Sequence, residues 1–214
     1  MKALLAALAA LPLGACAYNA TVTAAPNLAV YSSYGDKLPG RYLLHVDGSA
    51  FSSVVRPTGL NCSAHNFPLE FRDAFERSVV GTFQQLVEDV QVVERPVPQP
   101  EIAASGAAGM IVVRGEGVSA RLIFIPGFWT STPEATVEMT ASLTVDTPTG
   151  RVLGTTTAGD ATSQIGAGGD CGSGAISLGA ATQGAMKELM GGLGERMANS
   201  PRLRDAVKAA PAAQ

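Results

Sequence analysis

The sequence predicts an α+β fold: a two-layer sandwich in which a mostly antiparallel sheet of about four to five strands carries two helices on one face, in the order β-α-β-β-β-β-α. Three observations predict it. Ala135, Val137, Met139, Ala141, Leu143 and Val145 alternate without exception with Thr136, Glu138, Thr140, Ser142, Thr144 and Asp146, which specifies an antiparallel strand with one wet face. Phe71, Phe75, Val79, Phe83, Leu86, Val87 and Val90 recur mostly at steps of three and four, the stripe of an amphipathic helix. Ala181, Ala185, Leu189, Leu193 and Met197 form a second such stripe near the C-terminus.

The chain begins with Lys2 and an apolar run over residues 3–12, too short to span a bilayer, which needs roughly 20 residues, and so a cleaved secretory signal. Leu13-Gly14-Ala15-Cys16 resembles the bacterial lipobox, whose cysteine takes up a diacylglycerol and becomes the mature N-terminus. The competing interpretation is an ordinary secretion signal with a cysteine there by chance. With Ala17 rather than Asp after the cysteine, the sequence resembles the pattern that is exported to the outer membrane. The expected layout is a signal peptide at 1–15, a lipidated tether at 16–28, one periplasmic domain at 29–204 and a disordered tail at 205–214. Residues 17–27 are small and polar without a period, and extended they would reach at most about 35 Å.

Within the domain, Tyr42, Leu44 and Val46 alternate with Arg41, His45 and Asp47 in a first strand, where only Leu43 interrupts the polar face. Residues 48–66 read as a loop. Pro68 is expected to open the first helix, since its missing N–H costs nothing there. Residues 91–94 read as a short strand, and the three prolines of 95–100 exclude helix or inner strand. Met110 to Val113 and Leu122 to Ile125 are two apolar runs separated by Gly115 and Gly117, expected to form one long bent strand, with a tight hairpin as the alternative. Thr147-Pro148-Thr149-Gly150 is a turn, and 151–158 returns as the partner strand. A glycine-rich loop at 166–174 leads into a helix over 175–198, whose Gly191, Gly192 and Gly194 are expected to kink or fray it.

Removing the signal leaves about 199 of 214 residues, the size of one domain. Formal net charge is −3 and no Lys/Arg cluster exists, so nucleic-acid binding has no electrostatic driving force. With Cys16 lipidated, Cys62 and Cys171 remain as a pair in an oxidising compartment and are expected to form a disulfide closing a loop of about 110 residues; the alternative is two free thiols, which such a compartment disfavours.

The segment Ala108-Gly109-Met110-Ile111-Val112-Val113-Arg114-Gly115-Glu116-Gly117 and the turn Val145-Asp146-Thr147-Pro148-Thr149-Gly150-Arg151-Val152-Leu153, together with the alanine-rich last helix, resemble the periplasmic domains of bacterial envelope lipoproteins. In this the chain is similar to the curli-secretion lipoprotein CsgG, the N-terminal domain of TolB, and small lipoproteins such as YajG and LptE. Coverage is roughly 40–198. The resemblance implies an outer-membrane lipoprotein working through protein contacts, without catalysis. Unlike CsgG, the chain shows no additional alternating hairpins for a shared barrel.

Other chemistry is thin. Gly169-Asp170-Cys171-Gly172-Ser173-Gly174 resembles the nucleophile loop of chymotrypsin-like proteases, but its bases are limited to His45 and His65, helix follows it, and a disulfide would consume the thiol. The same glycines fit neither dinucleotide nor phosphate-loop spacing. Neither histidine has companions at metal-ligand spacing, so no metal and no cofactor is expected. Pro126-Gly127-Phe128-Trp129-Thr130 sets the single Trp beside a Phe in a turn. With Ile123 and Ile125 on the opposite parity to Leu122 and Phe124, these four form a candidate partner-binding patch; the alternative is that both rings fold back to cap the core. The sequence thus favours a non-enzymatic, lipid-anchored accessory or assembly subunit whose partners are the membrane, an envelope protein or a second copy of the chain. The alternative is a periplasmic module binding a small ligand or glycan at the 166–174 loop.

Overall fold

The computed structural model describes residues 17–166 and 170–209, so the signal segment, Cys16, part of the glycine-rich loop and the last residues lie outside the described part. Among the described residues, seven strands and four helices follow one another as β1 (Leu38–Asp47), β2 (Ser52–Val55), β3 (Phe67–Glu70), α1 (Arg72–Leu86), β4 (Val87–Val92), α2 (Gln99–Ser105), β5 (Gly109–Pro126), β6 (Ser131–Thr147), β7 (Gly150–Gln164), α3 (Gly172–Ala198) and α4 (Pro201–Ala209).

The α+β two-layer class is the one the sequence predicts. A five-stranded sheet of order β4-β1-β5-β6-β7 packs one face against α1 and α3, and β2 and β3 form a separate hairpin. The sheet is mixed. β5, β6 and β7 are a long antiparallel meander, whereas β1 pairs in parallel with both β4 and β5, because the helical connections α1 and α2 carry the chain back before each new strand. The two apolar runs around Gly115 and Gly117 are one strand, bulged between those glycines. The ring of Phe51 lies on Gly115, where a Cβ would stand 2.6 Å from it.

Several boundaries differ from the sequence expectation, each for a local reason. Pro68 does not open the helix; it lies in β3 opposite Val54, at the margin of a two-stranded sheet where a missing N–H is tolerated. The helix begins at Arg72 and stops at Leu86, so Val87 and Val90 belong to β4, which pairs with β1. The 48–66 loop contains β2 and the buried Phe51, which stacks on Phe71 and meets Phe75 edge-on. The proline-rich stretch does admit a helix: Pro98 is the extended N-cap of α2 and Pro100 lies in its first turn. That helix covers the face of the sheet opposite α1 and α3, where Ile102 packs with Leu43, Ala107 and Met110. Leu43, the one apolar residue on the polar face of β1, is thereby buried.

The α3 helix runs unbroken through Gly191, Gly192 and Gly194. These are points of close approach rather than weak points: a Cβ at Gly192 would meet Thr157 Cγ2 at 2.4 Å. The expected tail at 205–214 is helical as far as α4 reaches, with Leu203 buried and the Arg204 guanidinium 3.9 Å above the Tyr34 ring.

The expected tether is the largest correction. Residues 17–27 are docked on the domain: the Tyr18 and Ala20 amides donate to the Asn66 and Pro68 carbonyls, and the Ala25 and Asn27 amides donate to Ser78 Oγ and Thr82 Oγ1 on α1. Ala20 is buried.

Candidate functional site

The α3 N-terminus marks one end of the molecule, and four pieces of chain meet there. Cys171, immediately before α3, is bonded to Cys62 at an S–S distance of 2.00 Å and a Cα–Cα distance of 5.7 Å. The loop that carries Cys62 is fixed on two sides: Arg56 Nε donates to Asn66 Oδ1 at 2.9 Å, and the Thr58 amide donates to the Leu122 carbonyl at 3.0 Å, which seats Thr58 beside Ile123 on β5. Tyr18 stacks on Phe67 at 5.7 Å and meets His65 edge-on at 5.2 Å, bringing the N-terminal segment to the same place. The fourth piece is the β5–β6 turn, closed by the Gly127 amide on the Thr130 carbonyl at 2.7 Å.

This turn carries the aromatic pair. Leu122 and Phe124 point inward and are buried, Phe124 lying 6.3 Å from Phe67. Ile123 is half-buried and Ile125 is exposed. Beyond them Phe128 and Trp129 are each 88% exposed and meet edge to face at 4.7 Å, so neither ring caps the core. A cleft is lined by Asn61-Cys62 on one side and residues 126–131 on the other, and Leu60, the residue before Asn61, is 97% exposed. Leu60 is a residue the sequence reading missed. Its signal was a lone large apolar side chain between Gly59 and Asn61, in a segment otherwise built for turns.

A second concavity, an open groove of 670 Å³, lies between α1 and the ends of β1 and β4. Val46, Val80, Val92 and Val93 supply its apolar walls, and Glu76, Arg77, Gln84, Glu94 and His45 its polar rim. His45 Nδ1 lies 3.3 Å from the Val93 carbonyl oxygen. Among the described residues no group of three or more His, Cys, Asp or Glu is placed to hold a metal ion. The residues resembling a protease nucleophile loop carry no free thiol, since Cys171 is in the disulfide.

No family model matches the sequence, and no curated protein matches it. Solved structures similar to the fold include a Xanthomonas campestris protein of the family DUF330, with 19% identity, 82% of this chain and 93% of that chain covered, and a TM-score of 0.44. A neuraminyllactose-binding hemagglutinin homologue from Helicobacter pylori has 10% identity, coverage of 84% and 98%, and a TM-score of 0.43. A hypothetical protein from Chlamydia trachomatis has 9% identity, coverage of 75% and 98%, and a TM-score of 0.39.

Proposed function

We propose that this chain is a non-enzymatic outer-membrane lipoprotein, an accessory or assembly subunit that acts through protein contacts in the periplasm, akin to the envelope lipoproteins its sequence resembles. The observation that carries the reading is the Cys62–Cys171 disulfide. It suits a compartment outside the reducing cytosol, leaves Cys16 as the unpaired cysteine within Leu13-Gly14-Ala15-Cys16, and occupies the thiol of the one nucleophile-like motif. Two measurements test it. Intact mass should show diacylglycerol on Cys16 after removal of residues 1–15, in protein recovered from the outer-membrane fraction. Crosslinking in intact cells followed by mass spectrometry should then return a defined envelope protein or a second copy of the chain. Soluble, unacylated protein without a crosslinked partner refutes the proposal.

The α1–β1–β4 groove supports a second reading, a module for a small ligand. Its 670 Å³ lies within the range of roughly 300–1,000 Å³ typical of small-molecule sites, with apolar walls and a few polar groups at the rim. This seat differs from the 166–174 loop that the sequence offered, where the disulfide anchors Cys171. Native mass spectrometry of protein purified from the envelope checks it: a bound small molecule should be present and should be lost on Val80→Trp, which fills the groove.

A further inference from the structure

We infer that the Phe128–Trp129 tip, with Leu60 on the loop that faces it across the Asn61-Cys62 cleft, is a membrane-contacting foot that enters the headgroup region of the bilayer in which the Cys16 lipid is anchored. The inference rests on the proposed acylation of Cys16 and adds to it an orientation and a second contact. Its basis is where the N-terminal segment goes. From Val30, packed at Gly194, the chain runs back along α3 past Asn27 at Gly191, Thr23 at Gln183 and Thr21 at Gly179, and reaches Tyr18 beside Gly172. It therefore leaves the domain at the α3 N-terminus, the end that carries the aromatic tip: Ser177 of α3 donates to the Pro133 carbonyl near the start of β6 at 3.4 Å, and Cys171 is bonded to Cys62 beside Phe128. Ala17 is already paired with Asn66, so a lipid on the residue before it would bring the bilayer against this end.

The chemistry of the end fits such a surface. Its three most exposed large apolar side chains are Leu60, Phe128 and Trp129, with Ile125 behind them. Residues 17–35, 57–69, 122–133 and 171–186 contain no Asp, Glu, Lys or Arg, so the tip can be desolvated without stripping water from a charge. Asp170 is the acid at this end, and its carboxylate accepts from the Ser173 amide. Asp36, Arg56, Glu70, Arg121, Glu134 and Lys187 are the other charges that directly flank these segments in sequence. A Trp–Phe pair has the amphipathic bulk that favours the membrane–water interface, and a second contact makes a lipid anchor firmer than one attachment alone.

Trp129 is the only Trp in the chain, so its fluorescence reports on the tip alone. The full chain purified from the envelope is placed in vesicles of phosphatidylethanolamine and phosphatidylglycerol, with Cys16 acylation read by mass. The expected result is a blue-shifted emission, loss of quenching by aqueous iodide, and strong quenching by bromine placed high on the acyl chains, all weakened by Phe128→Ser with unchanged circular dichroism. Acylated, vesicle-bound protein whose Trp129 still emits as in water overturns the inference while leaving the lipoprotein reading intact. Shielding that appears only when a crosslinked envelope protein is added also overturns it, in favour of a protein partner at this patch. Unacylated protein removes the lipoprotein reading and with it the foot as inferred, whether or not vesicles shield Trp129.

Discussion

Gly159 on β7 lies against the backbone of Ala185 on α3 so closely that a Cβ at position 159 would stand 2.3 Å from the Ala185 carbonyl oxygen and 2.5 Å from the Leu189 amide nitrogen. The neighbours here are helix backbone, which cannot turn aside as a side chain can. Gly159→Ala should therefore push α3 off the sheet and lower stability by about 1–3 kcal/mol, the usual cost of overpacking. Gly117→Ala, where nothing lies within 4 Å, is the control and should be near neutral. Urea unfolding of the two variants side by side checks the contrast.

The Cys62–Cys171 bond spans 109 residues of sequence and holds the 56–66 loop to the α3 N-terminus. Chain-entropy arguments give a loop of that length about 4–5 kcal/mol, an upper figure because native strain subtracts from it. Replacing both cysteines with serine should lower the urea midpoint and raise its slope, because the unlinked unfolded chain exposes more surface. The loss of protection in hydrogen exchange should be concentrated in residues 56–66 and the first turn of α3. Reduction of the native chain with dithiothreitol should match the double variant.

Tyr42 yields a pH prediction. Its hydroxyl is buried without a hydrogen-bond partner among the described residues, and burial pushes the phenol up to about 12, with Arg204 opposing and Glu88 adding to the rise. The folded chain thus keeps a proton that the unfolded chain releases near pH 10. Stability is full below pH 10 and falls as pH rises toward 12, by roughly 2–3 kcal/mol at most. Tyr42→Phe removes both the unpaired hydroxyl and the titration. It should be neutral or slightly stabilising at pH 7 and should flatten the alkaline decline. Chemical denaturation at neutral pH and again between pH 10 and 12 measures both effects.

Periodicity made the long elements legible and left the short ones hidden. The strict alternation of 135–146 and the Phe71-Phe75-Val79-Phe83 stripe mark β6 and α1 because each runs for several turns or pleats. β2 has four residues, too few to show a period, and Pro68 and Pro100 suit either a helix start or a strand margin until their neighbours are known. Leu43 was visible as an exception, but the Ile102 that covers it comes from a helix that a count of prolines excluded. At the aromatic tip, strand parity placed Ile123 and Ile125 away from the core side chains. Parity says nothing about a turn, so the exposure of Phe128 and Trp129 had to be seen. Small polar composition made 17–27 look like linker because its attachment runs through backbone amides, which leave no pattern in sequence. The available clue was Ser78 and Thr82, two hydroxyls one turn apart on an apolar helix face, where buried polar groups call for partners.

Those two hydroxyls are also where the docking of the N-terminal segment can be undone. Ser78 Oγ accepts from the Ala25 amide at 2.8 Å while donating to the Ala74 carbonyl, and Thr82 Oγ1 accepts from the Asn27 amide at 3.0 Å. Each such bond contributes about 1 kcal/mol, and an amide stripped of its acceptor beneath the segment costs a further penalty. Ser78→Ala with Thr82→Ala should leave the sheet and α3 folded yet release residues 21–30 as a true tether, ending at the Tyr18–Phe67 stack. Limited proteolysis should then cut within this segment, where the native chain resists, and hydrogen exchange at Ala25 and Asn27 should accelerate. Trp129 emission in the absence of vesicles should not change, because the aromatic tip is held by the β5–β6 turn and not by this segment. A double variant that keeps Ala25 and Asn27 protected would show that apolar contacts of Val22 and Ala25 with the core, rather than the two hydroxyls, hold the segment in place.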